Sequence, residues 1–101
     1  MIINFDAELL DLDGKPIKQD PSEHSPAATL KHVTLLALQS GSDPQRQDDA
    51  AKKVRCFEIM VKANRGGCQE LSVEDVALVK EKVALVYPPL VVGTSFRLLE
   101  G

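Results

Sequence analysis

The feature that most constrains this chain is its punctuation: helix-start and helix-stop signals recur closely enough to hold every helix to about twenty residues or fewer. Ser25-Pro26 is the first start. A serine hydroxyl accepts from the unpaired N–H groups of a first helical turn, and proline at the first helical position loses nothing by lacking its own N–H. This predicts a helix over about 26–40, ended by Gly41. Asp43-Pro44 repeats the signal and predicts a second helix over about 44–64, stopped at Gly66-Gly67. Ser72-Val73-Glu74-Asp75 resembles a capping box with Asp in place of the usual Glu or Gln, and opens a third helix over 73–86. Tyr87-Pro88-Pro89 breaks the chain, because proline disfavours helical geometry in the residue before it. Residues 89–99 read as a fourth short helix, with a strand through Leu90-Val91-Val92 as the alternative.

The N-terminus has a different period. Ile3, Phe5, Ala7 and Leu9 alternate with Asn4, Asp6 and Glu8, the pattern of a half-buried strand. Asp13-Gly14 supplies a turn, and Lys15 to Lys18 can return as an edge strand that tolerates Pro16. The fold class that follows is mainly α with a short N-terminal β-hairpin (α+β), with three to four helices around one core. The organisation is a single domain over 1–101: hairpin 1–18, polar linker 19–26, helical part 27–101. A chain of 101 residues is long enough for a core without metal or disulfide support. The aromatics are Phe5, Phe57, Tyr87 and Phe96, so that core must be aliphatic.

Helical spacing assigns the faces. Leu30, Val33 and Ala37 form the inward stripe of the first helix, widened by Leu35, Leu36 and Leu38. In the second, Ala50, Val54, Phe57 and Val61 fall on one line, and Met60, Cys56, Ala63 and Ile59 widen it past half the circumference. Such a helix is either central in its domain or covered in part by another chain. In the third, Val76, Val79, Val83 and Val86 make the main stripe, with Leu78 and Leu85 on the far side.

A net charge of −3 argues against a general nucleic-acid binder, which needs a basic surface. The charge is nonetheless uneven. Residues 1–24 are rich in Asp and Glu, and 52–65 hold Lys52, Lys53, Arg55, Lys62 and Arg65 against Glu58. The start of the chain turns acidic at once, unlike a secretory leader, and no apolar run approaches the ~18 residues of a membrane span. A reducing cytoplasm with free thiols at Cys56 and Cys68 is expected.

Catalytic and cofactor chemistry finds little footing. His24, His32, Cys56 and Cys68 match no compact zinc spacing. Cys68 has no adjacent base to make it a nucleophile. Asp11 and Asp13 flank a turn, while Glu74 and Asp75 complement a helix dipole. Arg65-Gly66-Gly67 lacks the pattern of a phosphate-cradling loop and reads as a helix stop. The expectation is a protein that is not an enzyme and carries no cofactor or metal. What remains is a partner surface built from Lys52, Arg55, Ile59, Lys62, Arg65, Leu78 and Leu85, against the plainer reading that its apolar members are covered by the hairpin or the fourth helix.

The C-terminal half, Leu71 to Lys80, then Tyr87 to Gly93 and Arg97 to Gly101, resembles small, mostly uncharacterised proteins of tailed bacteriophages and prophages. Phe5-Asp6 and Leu10 to Ile17 are similar to their N-terminal segment, and 19–48 fits least well. The resemblance implies phage origin and a bacterial-cell setting, in the host cytoplasm or with the virion, and transfers no functional residue. With the composition it favours an accessory protein acting by protein–protein contact, on a host or defence factor or as an assembly chaperone. The alternatives are an oligomeric structural or tail-assembly component of the virion and a nucleic-acid-binding regulator. The partner expected is a protein of host or phage, with a homo-oligomer open, no membrane, and nucleic acid disfavoured.

Overall fold

A computed structural model describes residues 1–19, 26–40 and 50–100. Its elements are β1 (Ile2–Asn4), α1 (Leu30–Ser40), α2 (Ala50–Arg65), β2 (Cys68–Glu70), α3 (Val73–Val86) and α4 (Pro89–Leu99). The protein is therefore mainly helical, with a short two-stranded antiparallel sheet holding its N-terminus.

That sheet has an unexpected partner. β1 pairs with β2, in the register Ile2 with Glu70, Ile3 with Gln69 and Asn4 with Cys68. Leu71 N–H to Met1 C=O at 2.8 Å and Phe5 N–H to Gly67 C=O at 2.9 Å extend the ladder at both ends. The chain reaches β2 from α2 through Gly66 and Gly67, whose φ of 72° and 65° are left-handed values that favour glycine.

The Asp13-Gly14 turn does fold the chain back. Gly14 has φ 79°, and Asp11 Oδ1 accepts from the N–H groups of Asp13 and Lys15 at 2.9 and 3.0 Å. Only a single bridge, Leu10 with Pro16, joins the two arms, and the ladder passes on to a third stretch. Leu9 N–H donates to Ala28 C=O at 2.9 Å, and Ala28 N–H donates to Ile17 C=O. Residues 27–29 are thus spent as extended chain, which moves the start of α1 from the expected 26 to Leu30. Thr29 caps it: its Oγ1 accepts from His32 N–H at 3.2 Å, while the expected cap Ser25 lies outside the described residues. The expected start of the second helix at Asp43-Pro44 lies outside the described residues.

The last two helices follow their signals. Ser72 Oγ accepts from Asp75 N–H at 3.1 Å, and the Asp75 carboxylate accepts from Ser72 N–H, completing the capping box. Pro89–Leu99 is helix, not strand. α1 sits centrally, packed against α2 and α3, and α4 covers α3. Phe5, Ile3, Leu9, Leu30, Leu71 and Leu99 are among the fully buried side chains. The N-terminal segment thus drives its alternate residues into a core that the helices enclose.

Candidate interaction surface

α2 buries the face opposite to the one its longest apolar line suggests. Cys56, Ile59 and Ala63 point inward, with Met60 packed at their edge. Val54, Phe57 and Val61, one turn apart on the other side, are 57, 63 and 38% exposed. At ~100° per residue the two lines lie roughly 160° apart. α2 therefore carries one apolar line for its own core and a second turned to solvent.

The surface drawn from sequence divides accordingly. Ile59 is 2% and Leu78 7% exposed, so both belong to the core and are withdrawn from a partner surface. The plainer reading, burial, is right for these two. Leu85, at 48%, is exposed, so the pair on the far side of the third helix is split. α3 buries Val76, Leu78, Val79, Lys82 and Val83, whereas Val86, expected on its inward stripe, is 38% exposed.

The basic members are mostly engaged within the fold. Lys52 Nζ lies 3.0 Å from Glu81, and Arg55 Nε donates to Asp75 Oδ1 at 3.0 Å. Lys62 Nζ donates to the Glu70 carbonyl at 3.1 Å. The two ion pairs join the first part of α2 to α3, and as the α2 residue number rises its partner's falls, so α2 and α3 run antiparallel there. Arg65 is exposed, with no ion-pair partner among the described residues.

Between these two helices lies an open groove of about 770 Å³. Ala51, Val54, Ala77 and the edge of Leu78 give it an apolar floor, and Glu58 and Glu74 stand on its walls. Neither glutamate has a cationic partner among the described residues. Sequence reading missed this groove because helical periodicity places residues on one helix and says nothing of the gap between two. The signal available was the pair of small residues, Ala51 and Ala77, which leave space where helices meet.

Other chemistry is thinly placed. Among the described residues no three His, Cys, Asp or Glu side chains gather where they could hold a metal ion. Cys56 is buried and Cys68 exposed, and neither is in a disulfide. The Tyr87 hydroxyl is buried without a hydrogen-bond partner among the described residues, and this burial raises its pKa above the ordinary value. No described helix is long and apolar enough to cross a membrane. No family model, curated protein or solved structure matches this chain.

Proposed function

We propose that this chain is a non-enzymatic accessory protein of phage origin that works by protein–protein contact, and that the outer face of α2 makes that contact. The observation carrying the reading is the line Val54, Phe57, Val61: three large apolar side chains on successive turns, left to solvent by a helix that already contributes a separate face to the core. Scattered exposed apolar residues need no explanation, but a contiguous line beside a groove favours a partner. The phage setting rests on the sequence resemblance. A nucleic-acid regulator is the weaker reading, because phosphates would have to compete with Glu81, Asp75 and Glu70 for Lys52, Arg55 and Lys62.

Phe57→Glu tests the proposal. Phe57 is 63% exposed, so the variant should fold with its melting temperature unchanged within a few degrees. It should also lose the protein that the wild type retains in an affinity pull-down from bacterial or phage-infected lysate. Equal retention by the two, or retention of nothing by the wild type, rejects the reading. Sedimentation velocity separates the oligomeric alternative: an assembly that Phe57→Glu dissolves would make the outer face of α2 a contact between copies.

A further inference from the structure

We draw no further inference here: the strongest candidate, the open groove between α2 and α3 with the exposed Val54 at its edge, adjoins the contact surface already proposed, and with Lys52, Arg55, Glu58 and Glu74 all lining it nothing in the structure shows what covers it.

Discussion

Two glycines show how the same substitution acts oppositely at different backbone positions. Gly66 has φ +72°, and a Cβ there would stand 2.8 Å from Asp6 Oδ1, closer than real contacts permit. Gly66→Ala therefore places a residue with a Cβ in the left-handed region and displaces a carboxylate. It should destabilise the protein by about 1–3 kcal/mol, read as a lower denaturation midpoint in urea. Gly93 lies inside α4, and a Cβ there would meet nothing within 4 Å. Gly93→Ala removes backbone freedom from the unfolded chain at no steric cost and should stabilise by about 0.5–1 kcal/mol. A midpoint that falls for Gly93→Ala, or holds for Gly66→Ala, contradicts this account. The sequence marked Gly66-Gly67 as a helix stop, and it is one. It could not mark Asp6, sixty positions away, as the neighbour whose carboxylate a new Cβ would push aside.

At the scale of elements, legibility depended on whether the determinants were local. α3 and α4 begin and end where the cap and proline signals put them, because Ser72, Asp75 and Pro89 act within one turn. β2 was invisible: Cys68-Gln69-Glu70 has no apolar period, and its partner β1 lies at the far end of the chain. The start of α1 was misplaced for the same kind of reason, since Ala28 is held extended by Leu9 and Ile17, not by its own neighbours. The sequence left the inward face of α2 open, because both of its apolar lines obey helical spacing and only packing against α1 chooses between them. The candidate site inherited that ambiguity: Ile59 and Leu78 were placed on a surface they leave for the core, and its basic residues are mostly engaged within the fold. The local signals can be measured. Ser72→Ala deletes one acceptor of the capping box and should cost about 1 kcal/mol in thermal or urea unfolding. Arg55→Ala breaks only an ion pair whose arginine side chain is 49% exposed, and should cost less, about 0.2–1 kcal/mol. Reversal of that order would mean that the α2–α3 charge links, not the cap, hold α3 in place.

For the whole molecule, the decisive piece is the N-terminal segment, which joins parts of the chain that would otherwise only touch. Its backbone bonds to Gly67 and Leu71 on one side and to Ala28, Leu30 and Lys31 on the other, while Ile3, Phe5 and Leu9 fill the centre. A core closed by contacts this distant in sequence should unfold as one unit. Phe5 and Phe57 put this to a test in which the chemistry of the change is held constant. Phe5 is 0% exposed and Phe57 63% exposed. Phe5→Ala removes a buried ring where several segments meet and should cost about 3–5 kcal/mol, a large share of the ~5–15 kcal/mol available to a domain. Phe57→Ala should change stability by no more than about 0.5 kcal/mol. Far-UV circular dichroism and hydrogen exchange of the α4 amides should report the same loss for Phe5→Ala, although α4 lies at the opposite end of the sequence. If α4 kept its protection while the N-terminal segment frayed, the first ten residues would be an appendage, and the helices would form a core of their own. The ring at 57, turned to solvent, stands outside that closure, so its replacement tests the proposed contact without touching the core.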